Sequence, residues 1–197
     1  MSIFSKLLAI FTLICLSISM AIAASNNDIA TNLINSVTGD TLAVIKSNLN
    51  KNAKEQKLEN LFVNNVDIDW IGRFVIGKYW RQLDDKSKQD YNKVFRKYLI
   101  KQYIPKFEAY NNNKITIIKS IKDERGFIVY TSILTKDNKN VLVNYKLHQA
   151  KDGKLKVYDV IAEGISLLNT HRSDFAAMLS KETPATLIAT LNEKVGK

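Results

Sequence analysis

Ile115-Thr-Ile-Ile-Lys-Ser-Ile121, Phe127-Ile-Val-Tyr-Thr-Ser-Ile-Leu-Thr135, Val141-Leu-Val-Asn-Tyr-Lys-Leu-His148 and Leu155-Lys-Val-Tyr-Asp-Val-Ile-Ala162 follow one another along the chain. Each run is rich in β-branched and aromatic residues, which suit a pleated, half-buried surface. The polar connectors Lys122-Asp-Glu-Arg-Gly126, Lys136-Asp-Asn-Lys-Asn140 and Lys151-Asp-Gly153 are too short for a crossover helix. They join antiparallel neighbours, so the runs predict a four-stranded meander. In the third run Val141, Val143, Tyr145 and Leu147 fall on one face, and Asn144, Lys146 and His148 on the other. Such alternation marks a sheet buried on one side only.

Outward from the strands the period lengthens. Upstream, Ile29, Leu33, Val37, Leu42, Ile45 and Leu49 recur at helical spacing, with Gly39 predicting either one bent helix or two short ones. A second helix is expected over Ala53–Phe62. Asp67 is placed to cap a third whose apolar stripe is Ile68, Ile71, Phe74, Val75 and Tyr79. A fourth starts near Asp84, carries Tyr91, Val94, Phe95, Tyr98 and Leu99 on one side, and is kinked or ended by Pro105, with Phe107 and Tyr110 beyond. From Ile165 the chain reads as helix again, through Phe175, Met178 and Leu179 and then Leu187, Ile188 and Leu191. Helices gathered on one face of an antiparallel sheet of four or five strands make an α+β domain.

The first residues have the form of an export leader. Lys6 is their one charge, Leu7 to Ile22 run apolar, and Ala21-Ile-Ala23 closes the run with small residues at the cleavage positions. The expected division is therefore a signal peptide over 1–23 and a single domain over 24–197. A membrane anchor is the competing reading of the apolar run; its small-residue end and lack of flanking basic residues favour cleavage. Cys15 lies inside the run behind Ile14, not at a lipid-attachment site. Cleavage after Ala23 removes that only cysteine and lowers the net charge from +10 to +9. Stability then rests on packing, without disulfides.

Chemistry-bearing residues are sparse. Two histidines, His148 and His171, and no H-x-x-x-H predict no metal site. Ser166, His171 and Asp174 lie close together, but Gly164-Ile-Ser-Leu-Leu168 lacks the second glycine of a nucleophile elbow, and a serine entering a helix is usually a cap. Asp159 and Glu163 near a strand end are candidate acid–base carboxylates. For Asp159, between Val157 and Ile161, the weightier expectation is a buried carboxylate bonded to an arginine or to backbone amides. The lysines are spread over helices and turns rather than packed in an arginine stripe. Together with export this argues against nucleic acid and leaves attraction to acidic lipid surfaces or acidic proteins.

Longer strings carry a resemblance. Val66-Asp-Ile-Asp-Trp-Ile71, Val75-Ile-Gly-Lys-Tyr-Trp-Arg81, the aromatic series Tyr91, Phe95, Tyr98, Tyr103, and above all Val157-Tyr-Asp-Val-Ile-Ala-Glu-Gly-Ile-Ser-Leu-Leu168 with Asn169, Arg172 and Phe175 resemble the MlaC family, also called the toluene-tolerance auxiliary family. The likeness runs in order through nearly the whole mature part. It departs at Leu155, where the family commonly has tryptophan, and at His171, where an aromatic is frequent. The resemblance implies a periplasmic phospholipid carrier with a sheet-and-helix fold like those of nuclear transport factor and cystatin. It implies no enzymatic activity and no cofactor, phospholipid being cargo. The implied partners are an inner-membrane ABC-type transporter with its MCE-type substrate-binding subunit, and an outer-membrane lipoprotein complex.

The physics of such a carrier sets the expected site. Exposing about thirty acyl methylenes to water costs about 25 kcal/mol, so the chains must be sheathed. A cargo-holding fold therefore needs more inward apolar surface than its own core consumes. Ile71, Phe74, Val75 and Tyr79 form one candidate wall of an apolar pocket between sheet and helices, and Tyr98, Tyr103 and Phe107 a second. Val129, Ile133, Val143, Tyr145 and Val160 form a candidate floor, with Arg73 and Lys78 at the mouth for the head group. Position by position, an ordinary core explains these residues equally well. Two other functions compete: a periplasmic chaperone, and a cone-shaped enzyme using Asp159 with a tyrosine on a hydrophobic small molecule.

Overall fold

Antiparallel pairing of the four runs builds the sheet. The computed structural model describes residues 29–107, 114–135 and 138–196. The leader expected over 1–23 and Tyr110 lie outside the described residues. Strands β1 (Lys114–Lys122), β2 (Phe127–Leu134), β3 (Asn140–Gln149) and β4 (Leu155–Ala162) form the meander, and a short β5 (Ile165–Ser166) extends it to five strands in sequence order. The last helical stretch thus begins at Leu167 rather than Ile165. The cause is the two-residue turn Glu163–Gly164, where φ is 49° and 82°; positive φ at both positions reverses the chain onto its own strand. Glu163 tolerates that conformation because it is tied down. Its Oε1 accepts the Leu142 amide at 2.6 Å, and its own amide donates to the Leu142 carbonyl at 2.9 Å.

Register assigns the faces. Val129 pairs with Tyr145 and Thr131 with Val143, and across the next ladder Tyr145 pairs with Val160. These side chains share the inner face with Ile117 and Leu147, and Val129, Thr131, Val143 and Leu147 are buried. Lys119, Ile121, Tyr130, Leu142 and Lys146 point the other way. The alternation expected of β3 is therefore present. Two irregularities interrupt the ladders elsewhere, one in β1 between Ile117 and Lys119 and one in β4 opposite Lys146 and Leu147, where Tyr158 is the extra residue.

The helices follow from caps. Helix α1 covers residues 29–46 and passes through Gly39 without a break. Asn50 accepts the Ala53 amide at 2.9 Å and starts α2 (Lys51–Asn65), longer at both ends than expected. Asp67 caps α3 (Ile68–Ile76) through the Trp70 amide, and a 3₁₀ turn (Gly77–Gln82) then takes Tyr79 off that helix. Asp84 caps α4 (Asp85–Phe107) by accepting the Ser87 amide at 2.7 Å, a bond that holds its carboxyl below the usual range. Pro105 stands in the last turn of α4, where the loss of one ladder bond is tolerated. Helices α5 (Leu167–Leu179) and α6 (Pro184–Gly196) complete the order.

Three apolar clusters hold these elements. The largest joins α3, α4, α5 and α6 around Tyr91, Phe95, Phe175 and Leu187. The Tyr91 hydroxyl donates to the Gly72 carbonyl at 3.0 Å, and Gly72 admits the Phe95 ring, which a Cβ would meet at 3.0 Å. A second cluster sets Ala30 and Ile34 of α1 on Val129, Leu147 and Val157. The third packs Ile45, Leu58 and Ile104 where α1, α2 and α4 meet.

Two glycines make opposite predictions. Gly126 has φ of 155°, and a Cβ there would collide with the Leu147 carbonyl oxygen. Gly126→Ala should therefore destabilise the fold by about 1–3 kcal/mol in urea unfolding. Gly39 lies within a helix with open space around it. Gly39→Ala should stabilise by about 0.5–1 kcal/mol in the same measurement.

Candidate functional site

The proposed helical wall is part of one aromatic structure. Ile71 and Val75 are buried in the largest cluster, and Phe74, Tyr79, Tyr98 and Tyr103 pack against it. Trp70 stacks on Phe74 with centroids 5.0 Å apart, and the Arg172 guanidinium lies 4.6 Å from the Phe74 ring centroid. Arg172 Nη1 also donates to the Phe74 carbonyl at 2.9 Å. The backbone turns away there at Gly77, whose φ of 53° favours glycine, beside that guanidinium. Arg172 thus clamps the end of α3 to α5. Phe107 belongs to the third cluster and is linked to the first through Phe62, whose ring centroid is 6.3 Å from both Tyr103 and Phe107.

The proposed floor lies on the inner face of the sheet. Val129 is in the α1 cluster, with Tyr145 and Val160 packed against it. Ile133 and Val143, 4% and 7% exposed, share that face but lie outside these three clusters. The structure therefore brings Ile71, Val75, Phe74, Tyr98 and Tyr103 together, and Val129, Tyr145 and Val160 together, in different clusters. Val66 touches both. The floor also holds two polar groups that its alternation pattern did not flag as site residues. Thr131 is fully buried and donates to the Val143 carbonyl at 2.6 Å, whereas the buried Ser120 hydroxyl has no hydrogen-bond partner among the described residues.

The cationic residues proposed for the mouth sit apart from that floor. Arg73 Nε donates to the Asp69 carbonyl at 3.3 Å and Lys78 lies 5.2 Å from the Tyr79 ring centroid, both at or just after the end of α3. A different opening is flanked by lysine. Between α1 and β1 runs a groove of about 450 Å³ lined by Thr38, Gly39, Leu42, Lys46, Lys114 and Ile115. Ile115 belongs to the inner sheet face, so the groove opens at the edge of the floor. Sequence spacing could have placed Thr38, Leu42 and Lys46 on one side of α1, but not α1 beside β1.

The candidate catalytic groups are engaged in structure. Asp159 Oδ2 accepts the Ser166 hydroxyl at 2.8 Å and Oδ1 accepts the Leu168 amide at 3.1 Å. The carboxylate therefore anchors the first turn of α5, with a hydroxyl and an amide in place of an arginine. Ser166 accepts the Asn169 amide as the cap of that helix. His171 does not approach Ser166; its Nε2 is 2.7 Å from the Tyr103 hydroxyl. His148 Nε2 is 2.8 Å from Asp67 Oδ2, joining β3 to the start of α3 beside Trp70 and Tyr158.

Burial sets the protonation of the Tyr103–His171 pair. It pushes the Tyr103 hydroxyl up to about 12 and lowers the His171 imidazole below its usual value near 6.5. His171 Nδ1 is buried with no hydrogen-bond partner among the described residues. The folded state therefore binds fewer protons at this site than the unfolded chain just below pH 6.5, and stability falls as pH drops through that region. His171→Phe should flatten the decline between about pH 6.5 and 5, read by urea unfolding against the parent chain. An unchanged slope would show that His171 does not set it.

Comparison with known proteins agrees with this arrangement. Residues 35–193 match the family described as MlaC protein. A relative from Haemophilus influenzae, the intermembrane phospholipid transport system binding protein MlaC, is 24% identical over 136 residues. That alignment covers 67% of this chain and spans 64% of the relative's length. The solved structure of a phospholipid-binding protein from Ralstonia solanacearum, in complex with a phospholipid, superposes with a TM-score of 0.71 at 22% identity. It covers 84% of this chain and 98% of that one, and establishes the shared α+β fold. A match over so much of the length, on the elements just described, places this chain in the MlaC family.

Proposed function

We propose that the mature chain is a periplasmic carrier of glycerophospholipid, moving diacyl lipid between the outer and inner membranes and so maintaining outer-membrane asymmetry. The observation that carries this reading is the family match over residues 35–193. The Haemophilus relative is named for phospholipid transport, and the Ralstonia protein holds a phospholipid. Export follows from the leader over 1–23, and the domain over 24–197 is the working part.

The mechanism is sequestration. Acyl chains enter along the inner sheet face, against Val143, Ile133 and Tyr145, on the side of the sheet that α1 crosses. Hydrocarbon contacts have no direction, so chain length and unsaturation are tolerated within the available volume. Water loses access to about thirty methylenes, each worth about 0.8 kcal/mol, in the carrier as in the bilayer. Transfer between the two is therefore near balance, and the direction is imposed by partners: an inner-membrane ABC-type transporter with an MCE-type subunit and an outer-membrane lipoprotein complex. The carrier makes and breaks no covalent bond. The engagement of both Asp159 oxygens in holding α5 supports a binding role over acid–base chemistry.

The mature chain purified without detergent should yield about one diacyl phospholipid per molecule on extraction and mass spectrometry. Protein that is folded and empty would sink the carrier reading. Val143→Trp puts a large ring on the inner face outside the packed clusters and should cut bound lipid at least severalfold with an unchanged far-UV spectrum. Full loading of that variant would displace the floor from this face.

A further inference from the structure

Among the described residues the outer face of the meander is open, and its composition sets it apart. Strands β1, β2 and β3 together contain no Asp, Glu or Arg, and their charged side chains are lysines apart from the titratable His148. Register puts Lys114, Lys119 and Lys146 on the outer face with Ile121, Tyr130 and Leu142. Leu142 is 52% exposed, Ile121 38% and Leu134 36%; the irregularity in β1 turns out Ile118, 56% exposed. Lys119 lies over Tyr130, 4.9 Å from the ring centroid, so cation and aromatic are presented together. His148, at the far end of the same face, is covered by Trp70 and bound to Asp67, which marks where the open area stops.

We propose that this face docks the protein onto the surface of a bilayer containing anionic phospholipid. Lysine and aliphatic side chains meet different parts of that surface. The ammonium groups reach phosphates while the stems and the exposed isoleucine and leucine chains rest at the headgroup level. A negative membrane potential at the surface adds about fivefold in affinity for each nearby lysine. The composition favours a bilayer over a protein partner. Protein interface cores are enriched in arginine and depleted in lysine, whose hydrated point charge has no fixed geometry to match. A fluid headgroup layer requires none. The lysine-flanked groove between α1 and β1 shares Lys114 with this face, so docking would bring that opening to the membrane surface.

The proposal stands on the charge and exposure of the sheet and does not require cargo binding. Flotation of the mature chain with phosphatidylcholine vesicles, with and without one-third phosphatidylglycerol, tests it. Binding is expected only to the anionic vesicles and to fall with added salt. Lys119→Glu with Lys146→Glu should lower it at least about tenfold. The charge-matched pair Lys57→Glu with Lys86→Glu, on exposed positions of α2 and α4, should leave it within about twofold of the parent. Circular dichroism and co-purifying lipid should be unchanged in both pairs. Equal losses in the two pairs would overturn the proposal, since net charge and not this face would then drive binding. So would a parent chain that ignores anionic vesicles, which would leave an acidic protein as the partner the face fits.

Discussion

The extra residue in β4 is the constraint on which the arrangement depends. Lys146 pairs with Asp159 and Leu147 with Val157, so Tyr158 is inserted between two registered positions. A regular strand would send alternate residues to opposite faces, but here Val157, Tyr158 and Asp159 are all buried. Val157 goes to the α1 side with Leu147 and Val129. Tyr158 joins the helical cluster and meets Trp70 edge-on at 5.2 Å. Asp159 takes the Ser166 hydroxyl and the Leu168 amide. One strand thereby fixes helices on both sides of the sheet.

Other attachments converge on the same strand. The Asp67 amide donates to the Val157 carbonyl at 2.9 Å, and Val66 forms a parallel bridge to Val157. That pairing uses the free edge of β4 that the short β5 leaves uncovered. Asp67 then serves twice, accepting the Trp70 amide with one carboxylate oxygen and His148 Nε2 with the other. The start of α3 is thus bound to β3 and β4 together, which brings Phe74, stacked on Trp70, under Arg172 of α5. Polar bonds of this kind are modest in net energy, but each satisfies a group that burial would otherwise leave unpaired.

Against that rigid side, the inner sheet face is an apolar surface with few polar exceptions. Thr131 is satisfied by the Val143 carbonyl, and Ser120 finds no partner among the described residues. The outer face has the opposite character, with lysines and aliphatics in the open. In the proposed carrier, one side of the sheet sequesters cargo and the other meets a surface, and no moving part is needed to do both at once. The bonded carboxylates and the neutral Tyr103–His171 pair keep the helical side structural.

Strand positions, the alternation of β3, the Asp67 and Asp84 starts and the α+β class were all legible in the sequence, because each depends on neighbours within a few residues: alternation in Val141 to His148, short polar connectors, capping carboxylates. The shift of apolar phase in β4, from Leu155 and Val157 to Val160 and Ala162, was a visible sign of its extra residue, and it becomes interpretable only beside the unbroken alternation of β3. The turn at Glu163–Gly164 stayed hidden, since a non-glycine residue holds a left-handed conformation there through a bond to Leu142, twenty-one residues away. Which candidate residues meet was likewise a tertiary outcome. Helix and strand residues that read as one pocket are distributed among separate clusters by where β4 sends its side chains and where α1 crosses the sheet. Local pattern determined what each segment is and which of its faces is apolar; only long-range packing, which closes chain loops that no local signal records, decided which apolar faces cover one another.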